Sequence, residues 1–201
     1  AARPDVAFAA APVAVFGAND QALDLGPFVE ILEDRSAAWT LADVTGGPPA
    51  AAFRSLDRAR IHFGFTNSAI WLRVTIRNQT DIIRTFVGEF DNTRIEHVGI
   101  FRPPFPGIAE QTAVGTTVPI AARELPIGAT VFRIEVLPGD QVRMHFRLAS
   151  QSSSLNTALR MYRPVAFGGE LSRRMLGLGI MLGLCALLIV LCLQLLVTKA
   201  I

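Results

Sequence analysis

Residues 1–170 contain no cysteine. That excludes a disulfide or a thiolate site from this stretch. It leaves the compartment open, because a domain of this size needs no staple in a reducing cytosol or in a bacterial periplasm. Lysine is nearly absent, Lys199 being the single one. A basic footprint is also missing. With Arg173, Arg174 and Lys199 set aside, 16 Arg stand against 17 Asp and Glu in residues 1–170, a net charge of −1. Nucleic-acid binding needs a net positive surface and is not expected.

The usual signs of catalysis are missing too. His62, His97 and His145 each stand alone, without a Cys or His neighbour at metal-ligand spacing. No metal or cofactor is expected. Ser152-Ser153-Ser154 lacks the surroundings of a nucleophile elbow. Glu33-Asp34 reads either as half of a calcium or acid/base site or as a solvated pair. With no nucleophile set and no acid/base pair in view, an anchored hydrolase is disfavoured and no enzyme is expected. There is no internal repeat, and no helical period longer than two turns before residue 170.

One long apolar run is present. Residues 175–197 read MLGLGIMLGLCALLIVLCLQLLV, with no charge and Gln194 as the sole amide. A bilayer core takes about 20 apolar residues as helix, and a helix in a soluble protein shows a polar stripe that this run lacks. Residues 175–197 are therefore expected to span a membrane, with 168–174 as juxtamembrane linker and 198–201 as a truncated end. Both cysteines, Cys185 and Cys192, lie inside the run. Gly179 and Gly183 form a G-x-x-x-G pair for close helix packing, within one protein or in a homodimer. Residues 1–23, Ala-rich with Pro4, Pro12 and Gly17, read as an N-terminal arm or a leader remnant.

Between these ends, short alternating runs are separated by turn chemistry. Strands are expected at 29–33, 39–43, 60–64, 69–78, 84–90, 95–102, 129–136, 142–150 and 156–163. The clearest is 69–78, where Ile70, Leu72, Val74 and Ile76 alternate with Trp71, Arg73, Thr75 and Arg77. Val142, Met144, Phe146 and Leu148 repeat the pattern against Arg143, His145 and Arg147. Asn78-Gln79-Thr80-Asp81 and Pro138-Gly139-Asp140 punctuate the runs. Many short strands with Gly/Pro turns imply an all-β sandwich or barrel. Ile70, Leu72, Val74, Ile76, Phe132, Ile134, Met144, Phe146 and Leu148 are the expected core between two sheets.

Four segments carry a family resemblance. Val29-Glu30-Ile31-Leu32-Glu33-Asp34 followed by Trp39-Thr40-Leu41-Ala42-Asp43-Val44 resembles the opening of one bacterial module. Gly64-Phe65-Thr66-Asn67-Ser68-Ala69-Ile70-Trp71-Leu72-Arg73 resembles its most characteristic motif. Residues 92–101 and 123–150 resemble its later strands. The module is the type 2 extracellular domain of seven-transmembrane receptors with diverse intracellular signalling modules, and the resemblance covers residues 24–167. It implies a jelly-roll-like β-sandwich akin to carbohydrate-binding modules, followed by the first transmembrane helix. It also implies that residues 1–170 lie in the periplasm, anchored in a bacterial inner membrane. The Arg173-Arg174 pair on the outer side runs against the positive-inside rule, which weakens for long translocated domains. The remaining transmembrane helices and an output such as a diguanylate cyclase or histidine kinase are the implied partners.

The candidate ligand residues follow from the alternation. Trp71, Arg73 and Arg77 project from one strand, Arg143, His145 and Arg147 from another, and Arg133 from a third. If these strands share a sheet, their outward faces combine into a surface for a carbohydrate or an anionic small ligand. Guanidinium groups suit carboxylate and phosphate, and indole suits sugar-ring faces. Trp71 carries a second reading, as a ring that fills space under a loop or against the other sheet. The alternative for the whole domain is a structural or protein-interaction role without a small ligand.

Overall fold

The computed structural model describes residues 12–17, 19–56 and 60–200, and of residues 196–200 the backbone alone. Strands are the main regular structure up to Arg163. β1 (Ala14–Phe16) and β2 (Ala22–Asp24) precede β3 (Val29–Asp34). A short helix, α1 (Leu41–Gly46), a 3-10 turn (Pro48–Ala52), β4 (Arg54–Ser55) and β5 (Ile61–His62) lead to the long β6 (Ala69–Asn78). Then come β7 (Arg84–Phe90), β8 (His97–Phe101), β9 (Gln111–Val114), β10 (Thr130–Val136), β11 (Gln141–Ala149), β12 (Asn156–Thr157) and β13 (Leu159–Tyr162). The chain ends in α2 (Pro164–Ala200).

Two sheets face each other. The larger has the order β4-β3-β6-β11-β8-β9, with β1 added in parallel against the far end of β6. The smaller has the order β10-β7-β13-β2, and β5 pairs with β12 as a separate ribbon. All pairings except β1–β6 are antiparallel. This is the expected jelly-roll-like sandwich, without a barrel, followed by one long apolar helix. β6 and β7 have the expected bounds because their period-two stripes end at turn residues on both sides.

The inner faces form one core. All nine expected core residues are buried in it, together with Phe16, Phe86, Phe90, Leu159 and Met161. Phe90, Phe132 and Phe146 pack as a trio with ring centroids 5.1–6.0 Å apart. Gly88 stands opposite Phe132 in the β7–β10 register. A Cβ at Gly88 would lie 2.3 Å from the Phe132 ring, so the glycine vacates the space that the ring fills. Asn78, fully buried, donates from Nδ2 to the carbonyls of Ile82 and Val136 at 2.8 and 3.0 Å. It thereby ties the β6–β7 turn to the end of β10.

The observed strands differ from the expected ones in several places, β4 and β9 among them. The segment 39–43 is not a strand: its second half opens α1. The Asp43 carboxylate accepts from the backbone N and Oγ1 of Thr40, both at 2.7 Å, which caps the helix start. Expected strand 156–163 divides into β12 and β13, and Ala158 between them donates its N–H to Asp91 instead. Ala14–Phe16 and Ala22–Asp24, too short for a visible period, become strands by pairing with β6 and β13. Ala1–Pro4 and the rest of 1–11 lie outside the described residues.

The second compact unit begins at Pro164 and consists of α2. The helix takes in the expected linker 168–174 as well as the apolar run, and Pro164–Leu195 is long and apolar enough to cross a membrane. Glu170 pairs with Arg173 and Arg174, both one turn further along the helix.

Candidate functional site

The β6–β11 pairing brings the expected ligand residues onto one face. Trp71 stands opposite Arg147, Arg73 opposite His145, Thr75 opposite Arg143 and Arg77 opposite Gln141. All point away from the core, as the alternation requires. Arg133 lies in the other sheet, on β10, and pairs with Glu135 at 3.2 Å.

This outer face is divided by a cover. Residues 35–56, with α1 and the 3-10 turn, close over its middle and form a second small core of Leu32, Val44, Phe53 and Trp71. Trp71 is 0% exposed and stacks on Phe101, with centroids 5.6 Å apart. Its indole N–H finds no acceptor among the described residues. Of the two readings of Trp71, the geometry is that of a ring filling space under a loop. Arg73 is also held down. Its Nε donates to Glu30 at 2.6 Å, and its guanidinium lies 4.3 Å from the centre of the Phe53 ring. His145 is buried beside the same ring, edge-on, at 6.3 Å.

Two open regions flank the cover. On one side Arg77 and Arg143 are exposed, with Arg143 reaching Thr75. On the other side Arg147 donates to the carbonyl of Ala37 at 2.7 Å and borders an open groove of about 630 Å3. The groove floor is His97, Gly99 and Phe101 of β8, with Thr112 of β9 beyond. Because Gly99 has no side chain, the Phe101 ring lies across it, its edge 3.3 Å from where a Cβ would stand. Phe101 was not singled out from the sequence, although Gly99 and Phe101 share one face of a strand by their spacing. On α2, a Cβ at Gly179 or Gly183 would meet nothing within 4 Å.

The buried histidine gives the face a pH signature. Burial pushes the His145 imidazole down to about 4, Arg73 and Arg143 add repulsion, and Glu30 opposes them. The folded value lies below the ordinary 6.5. As pH falls from 6.5 to 4, the unfolded chain takes up a proton that the folded chain refuses. Stability is therefore full above pH 6.5 and declines toward pH 4. After allowing for solvent screening of the flanking arginines, the expected loss is about 2–3 kcal/mol. His145→Gln should remove most of that decline in denaturant titrations at pH 7 and pH 4.5. A smaller part remains from His97, whose imidazole is lowered by burial and by Arg147. An unchanged decline in the variant would show that His145 does not carry it.

A β-sandwich whose last strand runs through one residue into an apolar helix of membrane-crossing length defines an anchored domain of a membrane protein. A family model described as 7TMR-DISM extracellular 2 matches residues 26–163. The chain belongs to this family of extracellular domains of transmembrane receptors. No curated protein matches the chain.

Proposed function

We propose that residues 1–170 are the periplasmic ligand-sensing part of a receptor in a bacterial inner membrane. The domain takes a carbohydrate-like or anionic small ligand on the outer face of its larger sheet. Binding is passed to the membrane helices and to a cytoplasmic output such as a diguanylate cyclase or histidine kinase. The observation that carries this reading is the groove beside Arg147, where a guanidinium, an imidazole, a hydroxyl and an aromatic ring converge on an open floor. Arg77 and Arg143 extend the donor-rich surface beyond the cover, while Trp71, Arg73 and His145 support the face from beneath it. Gly179 and Gly183 suit close packing of α2 against another helix of the receptor or of a second copy.

A second reading, a structural or protein-interaction domain, is favoured by one observation. The protein's own segment 35–56 already occupies the middle of the face. Replacing Arg143 and Arg147 separately by Ala in the full-length receptor distinguishes the two. Each variant should keep its melting temperature, since single exposed or half-exposed polar changes cost little. Output activity should become about tenfold less responsive in at least the Arg147 variant, as expected when a charge-assisted contact is lost. Unchanged signalling in both folded variants would leave the structural reading.

A further inference from the structure

A second cavity lies away from this face, among the loops that join the two sheets. It has a volume of about 470 Å3 and is bordered by Phe65, Arg60, Arg94, Asn156 and Ser154. Phe65 is 74% exposed, more than any other large apolar side chain among the described residues of the sandwich. Its open aromatic face borders the cavity beside Arg60 and Arg94. The turn that presents it is not loose. Gly64 adopts a φ of +65°, its N–H donates to Asn156 Oδ1 at 3.1 Å, and its carbonyl accepts from Leu155 N at 2.7 Å. A left-handed glycine fixed at both polar groups sets the backbone from which Phe65 projects.

The opposite wall is equally fixed. Asn92 donates to the carbonyls of Ser154 and Asn156, and Ser153 donates to the carbonyl of Arg94 at 2.7 Å. These bonds use up Asn92 and the Arg94 backbone but leave the Arg94 guanidinium without an acceptor among the described residues. Asp91, the one carboxylate bordering the cavity, is neutralised by Arg60 at 2.8 Å and also accepts from Thr157 and Ala158. The uncommitted polar groups are therefore mostly donors: Arg94, the outer N–H groups of half-exposed Arg60, and the Asn156 amide. The net charge of the three ionised groups is +1.

We propose that this cavity binds an acidic sugar, a pyranose ring bearing a carboxylate, with the ring against Phe65 and the carboxylate on Arg94 and Arg60. The aromatic face supplies apolar contact to the ring's C–H groups, and the guanidinium fork supplies the charged contact. Neither part is used by the groove beside Arg147, so this site is additional to the one proposed above.

The test is calorimetric titration of the full chain in detergent micelles. The probes are an α-1,4-linked galacturonic acid trimer and a neutral galactose trimer, both at low and moderate salt. The wild type should bind the acidic trimer at least about tenfold more tightly than the neutral one, and more weakly as salt rises. Phe65→Ala and Arg94→Ala should each weaken binding of the acidic trimer about tenfold or more, with melting temperatures unchanged. No binding of the acidic trimer overturns the proposal. So does equal binding of both trimers, or undiminished binding by either folded variant.

Discussion

Phe146→Ala is expected to cost about 3–5 kcal/mol of unfolding free energy. Phe146 is fully buried on β11, the strand that joins β6 to β8 in the centre of the larger sheet. It meets Phe90 and Phe132 of the smaller sheet, so truncation opens a void where the two layers touch. Neither layer can move in to fill it, because β11 is bonded along both edges. For a chain of this size the melting temperature should fall by roughly 6 °C or more. Phe65→Ala, removing the same ring from the surface, should stay within about 0.5 kcal/mol of the wild type. Similar melting temperatures for all three proteins would mean that the inner and outer faces of β11 had been exchanged.

Trp71→Ala should be almost as damaging, at about 3–5 kcal/mol, although Trp71 lies on the opposite face. The reason is the cover. Leu32, Val44 and Phe53 share one small core with the indole, Trp39 and Leu41 pack against that core, and without the ring segment 35–56 loses its seat. Trp71→Phe is the informative companion. The indole N–H has no acceptor among the described residues, so its removal sacrifices no hydrogen bond, and only volume is lost. That variant should cost about 1–2 kcal/mol. Thermal unfolding of the three proteins checks both values. If Trp71→Ala left the melting temperature unchanged, the ring would not be part of a second core.

The two substitutions show how far alternation reaches. Period two in 69–78 separates Leu72 from Trp71, and in 142–150 it separates Phe146 from His145 and Arg147. That follows from strand geometry alone, since successive side chains leave a strand on opposite sides. It also says that Trp71, Arg73 and Arg77 share one face. It says nothing of what lies above that face. Burial of Trp71 depends on a segment that packs from more than fifteen positions upstream in the chain, whose helix start was legible only in the Thr40–Asp43 spacing. The same limit hides β1 and β2. Ala14–Phe16 is three residues long and becomes a strand because β6 offers it an edge some sixty residues away. Propensity over three residues cannot signal a non-local pairing.

By itself the sequence determined the class of the protein. Composition and period specify an all-β domain, a charge-free run specifies a helix of membrane-crossing length, and four ordered segments specify the receptor family. Each of these is a local property, readable from spacing, length or order. Only the tertiary structure decided which polar-face residues meet water. It covered Trp71, Arg73 and His145, left Arg77 and Arg143 open, placed Phe101 beside Arg147, and presented Phe65 over the loop cavity. Those outcomes depend on sheet register and on loops packing across long chain separations, and the free energy of such contacts is not written in any one segment.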